Sequence, residues 1–544
     1  MQPITIIRFA LISLLLTACG GSGGGGETES VNNSASASTS CSPQQTITGT
    51  ARKDGLRISN VEWLQTVGQS AASATTRLVG DKPALVRVDL LSNSGDLAPT
   101  RRELLVSDGS RCRSIPLQGP DRVPTSTNPD NLNTAYIATI PADLMRPNMS
   151  MTVVFDDNQG RSAAEAAQTR STITPQVSAP INERLYIIPL QHREERGYVD
   201  SPGQLASLLE EMLPVSNVNL EVRPVFAAPS LQTAGGGGLL GGVLSGGGGS
   251  GKTRSDFNTM VRVLNEVDEL CATLPGRSNN AANSAKCLGV FPDNIEFTGS
   301  VLTPNSRIVG VAQIGGTAML AESVSIIDVP TVQSPYDSNH WLAFRAVTVV
   351  HEYGHLLNLD HAACGVSGRT DSRLYNDGRL GGRAGFDSRR GFYFNSMRPN
   401  NTGRLQFADL MSYCLKEWTS DRGYRAMLAY RTGSVNASRV AESAASRWLK
   451  LSPTLQGWQV RVVDFAPDTL VPADETLMVR SLLGIEQLAV YRSVLSDAPD
   501  QLWAPRYVEL GEWSLLEMSL SVGGVQLQQW LTGTLESLFT TDKP

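Results

Sequence analysis

The chain has 544 residues, 41% hydrophobic and 18% charged, which excludes wholesale disorder and provides for about three or four domains with their own cores. A formal net charge of −6 offers no general basic surface, so no nucleic-acid partner is expected. Seven cysteines and five histidines are few enough that their positions carry information.

At the N-terminus, Arg8 precedes an apolar run over 9–16 that ends Leu16-Thr17-Ala18-Cys19. The run is too short to persist as a spanning helix and reads as a signal peptide over 1–18. Its ending resembles the lipobox of bacterial lipoproteins. That resemblance implies cleavage before Cys19, acylation of Cys19 and attachment to a membrane through lipid alone. Gly20 after the cysteine resembles the outer-membrane sorting class, so a cell-envelope lipoprotein facing the periplasm or the cell surface is expected. Cys41, Cys112, Cys271, Cys287, Cys364 and Cys414 remain. An even remainder in an exported chain predicts disulfides. Order along the chain suggests 41–112, 271–287 and 364–414, with one pair staying reduced, or a thiol of Cys41 or Cys112 blocking a metal, as alternatives.

Residues 19–44 are rich in Gly and Ser with almost nothing apolar and form a flexible tether, with a reach of roughly 25–30 Å. From 45 to 178, short strands alternate with turn formers: 84–91 places Val86, Val88 and Leu90 on one face, 135–140 and 151–155 follow, and Ser107-Asp108-Gly109 marks a turn. This pattern predicts a β-sandwich. Residues 179–438 switch to mixed α and β. A buried strand is expected over 184–190. Ser201-Pro202 opens a helix with Leu205, Leu208, Leu209 and Met212 as its stripe, and Val218, Leu220 and Val222 alternate as a second strand. The Gly-rich 235–251 stretch lacks the Gly-Lys-Ser/Thr ending of a phosphate loop and reads as a surface loop. A helix follows over 255–271 with Phe257, Met260, Val261, Leu264 and Val267 on one face, then strands over 307–313 and 318–329. A further helix from about 339 carries the most informative stretch of the chain. Residues 439–544 turn strand-like again, at 458–465 and 478–483, and predict a β-rich C-terminal domain. The fold class expected is multidomain α+β.

That informative stretch is VVHEYGHLLNLDH, from Val349 to His361. On a helix, residues four apart share a face, so His351 and His355 can direct two imidazoles at one ion. Glu352 lies beside the first of them, where it can take a proton from an attacking water. A catalytic zinc keeps three protein ligands and one open place. His361 can be the third ligand only if the helix ends between it and His355. Asn358 stands where a sharp helix end calls for the left-handed region, and Asn is the residue after Gly that tolerates it best. With so few histidines, His-Glu-x-x-His arises by chance in on the order of one such chain in 500.

The extended His motif and Leu410-Met411-Ser412-Tyr413 together resemble the metzincin clan of zinc endopeptidases, over roughly 180–435. The resemblance implies a metzincin-like protease domain with His351, His355 and His361 as Zn2+ ligands and Glu352 as general base. It makes Met411 the apolar floor beneath the metal and Tyr413 a ligand at rest or an oxyanion stabiliser. Asn358 departs from the glycine of the clan's pattern. A signal sequence, a preceding β-domain and Met-Ser-Tyr-Cys look most like secreted bacterial mucin-cleaving proteases, which implies a protein or glycoprotein substrate. A non-catalytic surface lipoprotein that binds glycans or proteins and keeps a vestigial metal site is the alternative. Eight arginines between 365 and 409 read as a solvated loop, or else as a basic rim for acidic substrate. An extended substrate is expected along a strand edge within 310–320. His192, among charges, is expected to be exposed and, like His340, to lie outside the site.

Overall fold

The computed structural model describes residues 55–531 apart from internal stretches, the longest being 156–166, 235–251, 299–306, 326–343, 396–406, 434–446 and 497–503. The expected signal peptide and tether, Cys19, Cys41, the Gly-rich stretch and His340 lie outside the described residues. The protein is multidomain and strand-rich, with 44% strand against 18% helix, so the α+β expectation holds at that level.

The N-terminal part contains two four-stranded antiparallel sheets. In one, Arg57–Leu64 and Tyr136–Ile140 flank Ala84–Leu91; in the other, Arg102–Ser107 pairs with Cys112–Pro116 and with Ser150–Phe155. Trp63, Val86, Val88 and Leu90 from the first sheet meet Leu104, Val106, Met151, Val153 and Phe155 from the second in one core. The alternation in Ala84–Leu91 thus selects its inward face as expected, yet the strand is buried at every position. Its other face is covered from a distance. Leu85 packs with Ala384 and Phe386, and Arg87 donates to the Tyr393 hydroxyl at 2.6 Å and to Asp89 at 3.0 Å. That cover comes from the paired strands Ala384–Asp387 and Phe392–Asn395 of the central part, which no local pattern in the strand announces.

A second contact fixes these two parts together. The Thr66 carbonyl accepts from Trp418 Nε1 and from the Phe386 N–H, both at 2.8 Å. Lys82 is buried and its ammonium donates to the carbonyls of Glu210 and Leu213 at 2.6 and 2.8 Å. These carbonyls end the Pro202–Met212 helix, where unpaired oxygens and the helix dipole favour a cation. Burial lowers the Lys82 pKa to about 8, and Glu211 and Glu210 partly restore it.

The central part is built on a five-stranded sheet in the order Asn217–Val222, Asn182–Pro189, Lys286–Phe291, Ala318–Glu322, Gly310–Ala312. The first four strands run parallel and the last is an antiparallel edge. Leu205, Leu208, Leu209 and Met212 bury on one side of the sheet with Val347, Val350 and Tyr353 of the Phe344–Leu356 helix. Met260, Val261, Leu264 and Val267 of the Phe257–Cys271 helix bury on the other. Both helical stripes are those read from the sequence.

Several local expectations are corrected. Ser201 makes no side-chain cap bond to the helix it precedes. The 255–271 helix begins at Phe257, capped by Asp256, whose carboxylate accepts from the Thr259 N–H at 2.9 Å. Val222 is exposed rather than alternating inward, because its strand is the far edge of the sheet. The 307–313 strand is split: Arg307–Ile308 pairs in a separate three-stranded sheet, and only Gly310–Ala312 joins the central one. Ala318–Glu322 ends before 329, and residues 326–329 lie outside the described set. His192 is buried, its Nδ1 3.1 Å from Asn294 Oδ1; a neighbouring loop covers it despite its charged sequence neighbours.

The C-terminal part is a seven-stranded antiparallel sheet running from Arg447–Thr454 to Val525–Leu531. Leu449, Leu451, Val460, Leu477, Val490 and Val508 form its core. It is tied to the central part by Lys450, buried against Asp268 of the Phe257–Cys271 helix. Burial alone would lower the Lys450 pKa, but Asp268 and Glu269 hold it well above its usual range.

Candidate metal centre

The motif helix, Phe344–Leu356, ends where the sequence requires. Asn358 has φ 67°, in the left-handed region. Its N–H donates to the His355 carbonyl at 2.9 Å, and the Leu359 N–H reaches back to the Gly354 carbonyl at 3.1 Å. These two bonds are the Schellman pattern that closes a helix and reverses the chain. The reversal carries His361 back beside the helix.

A turn at Asp409–Tyr413 packs under the same helix. Asp409 Oδ1 accepts from the Met411 N–H at 2.9 Å, and the Asp409 carbonyl accepts from the Ser412 N–H at 3.0 Å. Met411 is fully buried. The turn is joined to the returning chain at three points: Ala362 N–H to Met411 carbonyl at 2.8 Å, Tyr413 N–H to Cys364 carbonyl at 2.9 Å, and the Cys364–Cys414 disulfide. Closing that 50-residue separation stabilises by about 4 kcal/mol on the chain-entropy model. The expected 271–287 disulfide is present as well. Cys112 lies on the Cys112–Pro116 strand, and its expected partner Cys41 is outside the described residues.

The three imidazoles converge. Potential ligand atoms of His351, His355 and His361 lie within 4.8 Å of one another, all three residues buried. His351 Nδ1 is 2.8 Å from the Leu410 carbonyl, and His355 Nδ1 is 2.8 Å from the Leu359 carbonyl. A carbonyl only accepts, so both Nδ1 atoms carry the proton and both Nε2 atoms present lone pairs. Those Nε2 atoms are 3.1 Å apart. Two lone pairs facing each other at that distance repel unless a cation lies between them. Tetrahedral zinc with bonds of about 2.0–2.1 Å separates its ligands by about 3.3 Å. Burial pushes His351 down to about 3 and His361 to about 4, and holds His355 well below the usual imidazole range, with His361 adding to the effect on the other two. All three are therefore neutral near pH 7, the form that binds metal. The donor set fits a divalent cation that accepts imidazole, with zinc, copper, iron and nickel as the chemical candidates.

Glu352 is buried at 2% exposure and lies against the edge strand: a Cβ built on Gly310 would fall 2.5 Å from its Oε1. Its Oε2 accepts from Ser496 Oγ at 3.2 Å. Tyr413 is 48% exposed, and its hydroxyl is 2.9 Å from His361 Nε2. Asp409, beneath the turn, is raised to about 6 by burial, with bonds from Ser420 and Met411 opposing the rise.

The structure thus brings together His351, Glu352, His355, Asn358, His361, Met411 and Tyr413. Sequence reasoning placed Gly310 only on the expected substrate edge, and it missed Ser496 and the role of Gly354. Gly354 sits inside the motif, where a Cβ would meet Met411 Sδ at 2.5 Å; a glycine within a buried helix is a signal that was available. Arg369, Arg373 and Arg389 pair with Asp360, Asp371 and Asp387, and Arg390, Arg398 and Arg404 lie outside the described residues.

No family model, curated protein or solved structure matches the chain.

Proposed function

We propose that the protein is a zinc-dependent endopeptidase of metzincin type that cleaves extracellular proteins or glycoproteins. In this reading it is held at the cell envelope, at the outer membrane, by lipid on Cys19. No helix among the described residues is long and apolar enough to cross a membrane. The observation that carries the enzymatic reading is the pair of Nε2 lone pairs 3.1 Å apart, locked by carbonyls on the opposite ring nitrogens, with a carboxylate on the next residue. A cluster of histidines with no metal to hold has no need to aim its lone pairs at one point, and the carboxylate beside them favours a catalytic over a structural ion.

His351, His355 and His361 would hold the ion, and the Leu410 and Leu359 carbonyls orient the first two rings. When bound, zinc supplies Lewis-acid polarisation of the scissile carbonyl and acidifies the attacking water. Glu352 accepts the proton of that water and returns it to the leaving amine. In this reading the Tyr413 hydroxyl, half-exposed beside His361, donates a hydrogen bond to developing negative charge on the substrate. Met411 supports the ring of ligands from below.

The test is Glu352→Gln. The variant should bind zinc as tightly as the wild type and lose casein and mucin hydrolysis by about 10²-fold or more, while His361→Ala should lose zinc as well. Undiminished hydrolysis by Glu352→Gln refutes the mechanism. A zinc-loaded wild type that cleaves neither substrate leaves the non-catalytic binding lipoprotein as the better reading.

A further inference from the structure

We propose that residues 494–496 of the C-terminal part are an intramolecular occupant of the peptide-binding edge, lying as an added strand over Glu352 and restraining the enzyme until a substrate chain displaces them. The inference rests on the endopeptidase reading above.

The edge in question is the free side of Gly310–Ala312, the last strand of the central sheet. It continues through Gln313 and Ile314, and it is there that an extended substrate is expected to pair. That side is already taken. Gln313 and Leu495 form an antiparallel bridge. The Ile314 N–H donates to the Val494 carbonyl at 2.9 Å, and the Ser496 N–H donates to the Ala312 carbonyl at 2.8 Å. Ser496 Oγ accepts from the Ala312 N–H at 2.8 Å. Donors and acceptors on both sides of the bridge are thus satisfied by a short extended segment, the mode by which a sheet edge captures a peptide.

The same segment reaches the general base. Ser496 Oγ donates to Glu352 Oε2 at 3.2 Å, so one hydroxyl links the edge strand to the carboxylate. Glu352 is pressed against Gly310 from the other side. The two contacts leave it 2% exposed, which is poor access for a group that must meet water and substrate. The segment is anchored from behind. Leu495 is buried with Val311 and Leu320, and the Ser493 N–H beside it donates to the Pro505 carbonyl at 3.0 Å; the edge strand itself is tied to the C-terminal part by Gln313 Nε2 donating to the Tyr507 hydroxyl at 3.0 Å and Thr469 Oγ1 to the Ile314 carbonyl at 2.7 Å. The C-terminal sheet therefore carries the strap in its own fold, and the strap competes with substrate by main-chain pairing that any extended sequence can match.

The experiment uses the full chain. Ser496→Pro removes the N–H that bonds Ala312 and the hydroxyl that bonds Glu352. Ser496→Ala removes the hydroxyl alone and guards against a proline variant that fails to fold. A fluorescein-labelled casein decapeptide should bind about tenfold more tightly to Ser496→Pro than to the parent, and a few-fold more tightly to Ser496→Ala, as expected for losing competing hydrogen bonds. Both comparisons are made in a Glu352→Gln background, so that binding is read without cleavage. With Glu352 intact, casein-peptide kcat/KM should rise in the same order. Unchanged or weaker peptide binding in both variants overturns the proposal. So does a fall in hydrolysis with binding unaltered, which would make Ser496 a positioning residue for Glu352. A gain in binding with no hydrolysis by any zinc-loaded form supports the strap and refutes the endopeptidase reading instead.

Discussion

Gly354 occupies one of the two unspecified positions of the His-Glu-x-x-His motif, and the site depends on its lack of a side chain. A Cβ there would lie 2.5 Å from Met411 Sδ and 3.3 Å from Met411 Cε, against the roughly 3.5–4.0 Å of comfortable contact. In an open helix, Gly→Ala gains about 1 kcal/mol. Here the extra methyl must displace a fully buried side chain whose turn is pinned to Ala362 and Asp409, and overpacking of that kind costs about 1–3 kcal/mol. Gly354→Ala should therefore gain nothing and destabilise the motif helix by up to about 2 kcal/mol net. Met411→Ala should cost about 2–5 kcal/mol on its own. In that background Gly354→Ala meets no sulfur and should stabilise by up to about 1 kcal/mol. The difference between the two backgrounds implies a coupling of about 1–3 kcal/mol between the two positions. Native-state hydrogen exchange of the motif-helix amides reads these free energies where the change is made. If Gly354→Ala has the same effect in both backgrounds, the helix and the turn do not contact each other as described.

Asn358 at φ 67° predicts that Asn358→Gly holds zinc as well as the wild type or better. Asn358→Val, branched at a left-handed position, should weaken zinc binding about tenfold or more by chelator competition. A valine variant with unaltered affinity would show that the helix end does not set the third ligand. The metal-free protein should lose stability in mild acid. Burial holds His351 at about 3 and His361 at about 4, so the unfolded chain takes up protons near pH 6.5 that the fold refuses. Stability present above about pH 6.5 is lost as the pH falls toward 4. Asp409, raised to about 6, acts in the opposite sense, favouring the fold as the pH falls from 6 to about 4. Thermal melts from pH 8 to 4.5 should decline, and more steeply in Asp409→Asn. A flat profile for the wild type would mean that the imidazoles are not buried without metal.

Local chemistry made much of this protein legible. The stripe Leu205, Leu208, Leu209 and Met212 buries as its period requires, since that period depends only on the few residues of one turn. Asn358 is left-handed because no neighbour other than glycine tolerates that backbone better. The order of cysteines anticipated the 271–287 and 364–414 bonds, each joining cysteines that follow one another along the chain. The histidine spacing likewise anticipated the convergence of His351, His355 and His361, because four residues of helix and one reversal are short-range geometry.

Contacts between distant parts were decided by packing alone. Arg87 and Tyr393 bury the outer face of a strand whose own pattern names only its inner face. His192 lies among charged neighbours and is nevertheless enclosed by Asn294 and its loop. The bond from Ser496 to Glu352 spans 144 residues, and nothing within reach of either residue along the chain specifies it. Periodicity and turn chemistry report on neighbours in sequence. Which edge a segment covers, and which carboxylate it reaches, depends on how separately folded sheets dock, and that is settled only when their surfaces meet.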